Sequence, residues 1–120
     1  MRVRFTGASG FDQRVSQGAA SLREGREYVV LEIFAQVGGA NKIRVEISEE
    51  QLPPLFDSRL FELVSNRIPC VWEIHGKFDG SLVMRPGEWN SPGFWESLMD
   101  REQWAVEAYR SGRTKIFEDS

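Results

Sequence analysis

The stretch Tyr28-Val-Val-Leu-Glu-Ile-Phe34 decides the fold, together with the turn Val37-Gly-Gly-Ala-Asn41 and the segment Lys42-Ile-Arg-Val-Glu-Ile47 that follow it. The first segment is dominated by β-branched and aromatic residues, as is typical of a strand buried largely on both faces. The last segment alternates, so its isoleucines and valine share one face and its charged residues share the other. The whole stretch therefore predicts an antiparallel β-hairpin.

Shorter strands are predicted on both sides of this hairpin, at residues 2–5, 60–64, 70–75 and 81–85. The paired prolines Pro53 and Pro54 predict a connector, because proline cannot donate to a strand ladder. Asp79-Gly80 is typical of a tight hairpin turn. Residues 58–65 are also compatible with one or two helical turns, and both alternatives stay open. The strands together predict an antiparallel β meander or a small SH3-like barrel.

Helices are predicted only near the C-terminus. Ser91 is a candidate cap with Pro92 in the first helical position, and Asp100 with Gln103 resembles a capping box for a second helix. Trp104, Ala105, Ala108 and Tyr109 have the spacing of one apolar helix face. We expect Gly112 to end that helix and residues 113–117 to form a last strand. The expected fold is a single α+β domain over residues 1–120, with C-terminal helices.

Composition narrows the classes of function. Apolar residues make up 41% of the chain, charged residues 28%, and the formal net charge is −3, with the acidic excess after residue 47. A nucleic-acid partner is therefore not expected, since such proteins usually carry a dense basic face. The single cysteine, Cys70, lies in an apolar run and is expected to be a buried thiol in a reducing compartment. With no signal peptide or membrane span evident, we expect a cytoplasmic protein.

No residue pattern predicts catalysis, a metal or a cofactor. His75 is the only histidine, and Cys70 is an odd number of positions away, so their side chains would lie on opposite faces of one strand. The segment from Phe5 to Phe11 resembles the glycine turn that opens short-chain dehydrogenases. The third glycine of that pattern falls on Gln13, and the antiparallel hairpins that follow do not suit a parallel sheet.

Three of the four tryptophans, Trp89, Trp95 and Trp104, fall close together. Such a cluster either packs C-terminal helices against a sheet or anchors a partner. In the second interpretation Trp89 is the most exposed member and the anchor. Its charged rim would come from Glu88, Glu96 and Asp100, which makes these four residues the candidate protein-binding site.

The stretch from Pro86 to Tyr109, with its Pro-Gly-Phe-Trp-Glu segment and alanine-bearing helix, resembles the C-terminal part of small bacterial proteins that include toxin-immunity proteins. The resemblance implies stoichiometric binding of a toxin domain by an acidic surface, which suits a basic partner. Two alternatives stay open: a nucleic-acid-binding SH3-like barrel that uses Arg2, Arg4 and Arg44, and a small enzyme that uses His75. The sequence predicts no oligomeric state.

Overall fold

Seven antiparallel strands form one sheet in the computed structural model, which describes residues 1–120. The strands are β1 (Arg2–Phe5), β2 (Glu27–Ala35), β3 (Lys42–Val45), β4 (Leu55–Asp57), β5 (Phe61–Ser65), β6 (Trp72–Gly76) and β7 (Leu82–Pro86). The helices are α1 (Gln13–Gly18), α2 (Phe94–Met99) and α3 (Gln103–Glu118), with single 3₁₀ turns at Ser58–Leu60 and Gly87–Asn90. The α+β class with C-terminal helices is confirmed.

The predicted hairpin of β2 and β3 lies at the centre of the sheet. Ile33 pairs with Ile43 of β3 and with Met84 of β7, so the second half of β2 has a neighbour on both edges. The first half of β2 pairs with β1, and the strand order along the main path is β4-β3-β2-β1-β5. The long apolar run of β2 therefore serves as the strand that joins the two ends of the sheet.

The sheet stays open. The strands β1 to β4 are neighbours in chain order, as in the predicted meander, but β4 and β5 end the main path and β6 pairs only with β7. These three edges never meet, so the SH3-like barrel is not confirmed. Residues 58–65, for which both strand and helix were predicted as alternatives, form a 3₁₀ turn followed by β5. Asp57 caps this turn by accepting a hydrogen bond from the Arg59 N–H.

The C-terminal segment corrects four details of the prediction. Residues 113–117 continue α3 instead of forming a strand, and Gly112 lies inside this helix, where Trp89 packs against its backbone. Helix α2 begins at Phe94 with Gly93 as its cap, two residues after the predicted start at Ser91 and Pro92. Asp100 ends α2, and Glu102 is the cap of α3.

The core fills the space between the sheet and the C-terminal helices. Its fully buried members include Val30, Leu31 and Val45 of the central strands together with Ala105 and Ile116 of α3. Burial of a large aliphatic side chain contributes about 1.5–3 kcal/mol, so these contacts are the main force that holds α3 on the sheet. None of the helices is long and apolar enough to span a membrane.

Candidate functional site

Trp89 is a core residue, which corrects the prediction that it is an exposed anchor. Its side chain is 1% exposed, and its Nε1 donates a hydrogen bond to the Ala108 carbonyl of α3 at 3.0 Å. The indole stacks on Phe94 and on Tyr109, with ring centroids 5.8 and 5.3 Å apart. The 3₁₀ turn directs Trp89 inward because Gly112 leaves room for the ring. Trp89 thus fixes the positions of α2 and α3.

The other three predicted residues do not surround Trp89. Glu96 and Asp100 are exposed and lie one helical turn apart, on α2 and at its end. Glu88 lines a separate cavity of about 190 Å³ with Glu73 and Lys115. The structure therefore brings Glu96 and Asp100 together and leaves Glu88 apart. Their role in binding stays a prediction.

The accessible tryptophan is Trp104, at the start of α3. Its side chain is 44% exposed, while one edge contacts Phe94 with ring centroids 6.1 Å apart. Met99, at the end of α2, is 67% exposed. The spacing of Trp104, Ala105, Ala108 and Tyr109 predicts that Trp104 lies on the apolar face of its helix, but the structure leaves it partly exposed.

A cleft of about 420 Å³ separates the β3–β4 connection from α2 and α3, and we take it as the candidate functional site. The connection contributes three carboxylates to one wall, and the helical segment contributes three guanidinium groups to the other. Leu52 and Met99 are exposed apolar residues on the two sides. The charged residues of the walls are Glu46, Glu49, Glu50, Arg101, Arg110 and Arg113.

An ion pair crosses the cleft. The Arg113 guanidinium donates to both oxygens of Glu46, with Nε–Oε1 and Nη2–Oε2 distances of 2.9 and 2.7 Å. The carboxylate of Glu46 raises the pKa of Arg113 above its already high value. Both side chains are largely buried, and bidentate geometry of this kind is the stronger form of ion pair. The pair therefore fixes the distance between the two walls.

Tyr109 lies beside this ion pair. Burial raises the pKa of its phenol well above the ordinary value, and the nearby Glu46 carboxylate acts in the same direction. The hydroxyl is buried and makes no hydrogen bond within the protein. Tyr109 therefore stays neutral at any physiological pH, and its side chain is one of those that line the cleft.

Two of the basic residues of the cleft have no acidic partner. Arg101 and Arg110 are exposed and take part in no ion pair, while Arg113 is shared between Glu46 and Glu49. Arg101 is also the one non-glycine residue with a positive φ, at 57°. A left-handed conformation costs a residue with a Cβ of order 1 kcal/mol, and such residues are often found at functional sites.

A buried charge network supports the cleft from the sheet side. Glu32 is 1% exposed and accepts hydrogen bonds from Arg44 Nε at 2.9 Å and from Arg85 Nη1 at 3.3 Å. Arg44 also donates to the Pro53 carbonyl and lies over the Trp95 ring at 4.0 Å. Arg44 therefore links β3 both to the β3–β4 connection and to α2.

The residues weighed for catalysis lie elsewhere. Cys70 is exposed, contrary to the predicted buried thiol, because it sits in the β5–β6 connection, where its N–H donates to Asp119 Oδ2 at 2.7 Å. His75 is exposed on β6. No group of three His, Cys, Asp or Glu side chains is placed to hold a metal ion.

The sequence pattern does not reveal the cleft, because its walls come from distant segments of the chain. The one local signal was Leu52-Pro-Pro54, an apolar residue beside a connector that cannot join the sheet. The positive φ of Arg101 has no counterpart in the sequence pattern. No protein-family model, curated protein or solved structure matches the chain.

Proposed function

We propose that the protein is a protein-binding module that receives a segment of its partner in the cleft. The observation that carries the proposal is the exposure of Leu52 and Met99 on facing sides of one cleft, at 41% and 67%. Exposed apolar side chains surrounded by charged residues are typical of the centre and the rim of an interface. Trp104, at the start of α3, is a further exposed aromatic side chain close to Met99 in the sequence.

A protein segment suits this cleft better than a small molecule does. Small-molecule sites are usually concave and mostly apolar, and they bury most of the ligand. Here most of the lining residues are exposed, and only five of the fourteen are hydrophobic. A peptide segment suits such an open, charged cleft because its backbone and side chains form hydrogen bonds and ion pairs with the polar groups of both walls.

The charges of the cleft favour a segment that carries both signs. Glu49 and Glu50 are exposed on one wall and attract a cation, while Arg101 and Arg110 are free to pair with a carboxylate. Glu96 and Asp100 lie next to Met99 and add acidic charge outside the cleft. This outer acidity favours a partner that is basic overall and directs its approach.

The resemblance to toxin-immunity proteins gives this proposal its most specific form. The partner is then a basic toxin domain, bound stoichiometrically, with Glu88, Glu96 and Asp100 as steering carboxylates. Steering charges act mainly on the association rate and weaken as salt rises. Replacing all three by glutamine or asparagine is expected to slow association and to flatten its dependence on salt. An unchanged association rate would contradict their part in binding.

The experiment that tests the proposal is capture of partners by the tagged protein from its own host. Leu52→Asp and Met99→Asp place a charge on the apolar rim of the cleft, and Ile68→Asp, at a site that is 59% exposed outside the cleft, is the matched control. We expect one stoichiometric protein with the wild type and with Ile68→Asp, and its loss with both cleft variants.

Two results would contradict the proposal. Equal capture by all four proteins would place the binding site elsewhere, and no stoichiometric partner for the folded wild type would remove the support for a binding module. All three substituted residues are exposed, so the free energy of unfolding of each variant is expected to stay within about 0.5 kcal/mol of the wild-type value. Thermal unfolding of each variant checks this before the capture is interpreted.

A further inference from the structure

The β6 strand has an open edge. It pairs with β7 alone, and the Lys77 N–H donates to the Ser81 carbonyl at 2.8 Å, across the start of that hairpin. In an antiparallel ladder alternate residues point their backbone groups to the same neighbour. Residues 73, 75 and 77 therefore face β7, and the N–H and C=O groups of Ile74 and Gly76 point away from the sheet. An open edge of this kind is a template for another strand.

The side chains next to this edge are unusually apolar. Ile74 is 71% exposed, and Leu82, which pairs with Gly76, is 49% exposed. Phe78, at the turn that follows β6, is fully exposed. Protected edges usually carry charges or proline on such positions. The apolar face of the β6–β7 hairpin is thus uncovered along its outer side.

The sequence of β6 is complementary to itself. Suppose that two copies of β6 pair antiparallel with their His75 residues opposite each other. Glu73 of each copy then lies opposite Lys77 of the other copy, which gives two symmetric contacts. Ile74 then lies opposite Gly76, which has no side chain to collide with it. The outward backbone groups of Ile74 and Gly76 meet in this register, so the hydrogen bonds of the ladder are satisfied as well.

The other two open edges lack this complementarity. β5 carries a single charged residue, Glu62, and this is already paired with Arg4 at 2.6 Å. β4 is three residues long, and its Asp57 is paired with Arg59. Self-pairing of either strand brings no opposite charges together. The argument therefore applies to β6 alone.

We propose that β6 pairs with β6 of a second copy of this chain to form a two-fold symmetric dimer with one continuous sheet. On one face of the sheet, where the two β6 strands meet, the apolar side chains of Ile74, Leu82 and Phe78 then pack together. The Glu73–Lys77 pairs lie on the opposite face. A two-fold contact of this type is closed, so it stops at the dimer. The contact is small, which sets its dissociation constant in the micromolar to millimolar range.

Charge reversal tests the register. Sedimentation equilibrium from micromolar to millimolar concentration measures the dimer, and Glu73→Lys and Lys77→Glu each place like charges opposite one another at two symmetric sites. We expect each single variant to weaken dimerisation by about tenfold. The double variant Glu73→Lys with Lys77→Glu restores opposite charges, and we expect it to recover the wild-type constant.

Hydrogen exchange tests the edge itself. The amides of Ile74 and Gly76 are expected to exchange more slowly as concentration rises, while amides on the open edge of β5 stay unchanged. Phe78→Ser, at a fully exposed position, is expected to weaken the dimer without changing unfolding. A chain that stays monomeric at millimolar concentration overturns the proposal. So does a dimer whose dissociation constant in each single charge variant equals that of the wild type.

Discussion

Gly112 shows how one missing side chain determines the packing of the C-terminal helix. A Cβ at this position would lie 2.8 Å from Trp89 Nε1 and 3.0 Å from Pro86 Cγ. Gly112→Ala gains about 1 kcal/mol of helix propensity but forces the buried indole to move, which costs about 1–3 kcal/mol. We expect a net loss of about 1 kcal/mol, measured by urea unfolding.

The matched control for this variant is Gly18→Ala. Gly18 is the last residue of α1, and a Cβ there meets no atom within 4 Å. This variant is expected to be neutral or more stable by up to about 1 kcal/mol. If Gly112→Ala were as stable as Gly18→Ala, the close contact with Trp89 would not limit the packing of α3.

Gly112 and Trp89 also mark the limit of prediction from single residues. A glycine near the end of an apolar helix pattern is typical of a C-cap, and a tryptophan beside Ser-Pro-Gly is typical of an exposed turn. Each interpretation is reasonable locally, and both are wrong because the two residues pack against each other. That contact joins parts of the chain 23 positions apart in the sequence, so neither local pattern contains it.

At the scale of elements, β2 depends on the charge of Glu32. Its carboxylate is 1% exposed and is the shared acceptor of Arg44 and Arg85. Glu32→Gln leaves two largely buried guanidinium groups without a counter-charge, and removal of one partner from a buried pair costs about 3–5 kcal/mol. We therefore expect a loss near the lower end of this range, about 3 kcal/mol, in urea unfolding at neutral pH.

Glu27→Gln is the control on the same strand. Glu27 forms ion pairs with Arg2 and Arg4, but all three side chains are more than one third exposed. Exposed pairs contribute about 0–1 kcal/mol, so this variant is expected to change stability little. Equal losses for Glu27→Gln and Glu32→Gln would mean that burial does not strengthen the Glu32 network.

Elements with a strong local pattern could be predicted, and those fixed by distant contacts could not. The alternation in residues 42–47 and the Asp-Gly turn at residues 79–80 led to strands that the structure confirms. Residues 113–117 include the β-branched Thr114 and Ile116 and the aromatic Phe117, so their local pattern alone is compatible with a strand. The segment is helical because Ile116 is fully buried and Arg113 reaches Glu46.

For the whole molecule, the class of fold follows from the sequence, but the open sheet and the cleft do not. Six short strands predicted a meander or a barrel, since both use the same pattern along each strand. The choice between them depends on which edges meet, and here the β6–β7 hairpin pairs with β2 beside β1 instead of closing the sheet. The cleft then forms between segments that no local pattern relates.

Acid is expected to weaken the fold as a whole, because aspartates at three distant points have pKa values below the ordinary range. A side-chain hydrogen bond from Arg59 is the main cause at Asp57, and backbone N–H groups of Ser81 and Cys70 are the main causes at Asp79 and Asp119. A depressed pKa in the folded state means that the stabilisation is present above about pH 4, the unfolded value, and is lost as pH falls through the folded value.

Asp57 gives the sharpest test of this pH dependence. Asp57→Asn keeps an oxygen to cap the 3₁₀ turn but loses the charge that faces Arg59, at 2.7 Å from Oδ2 to Nη2. We expect the variant to be less stable by about 0.5–1 kcal/mol at pH 7, and the difference to narrow as pH falls from about 4, the unfolded value, through the lower folded-state pKa of Asp57. Urea unfolding of both proteins from pH 7 to pH 2.5 measures the difference.

Arg59→Gln removes the same pair from the other side, so the two substitutions together are expected to cost less than their sum. A gap between wild type and Asp57→Asn that stays constant down to pH 2.5 would show that the capping geometry, and not the charge of Asp57, is what stabilises this end of β4.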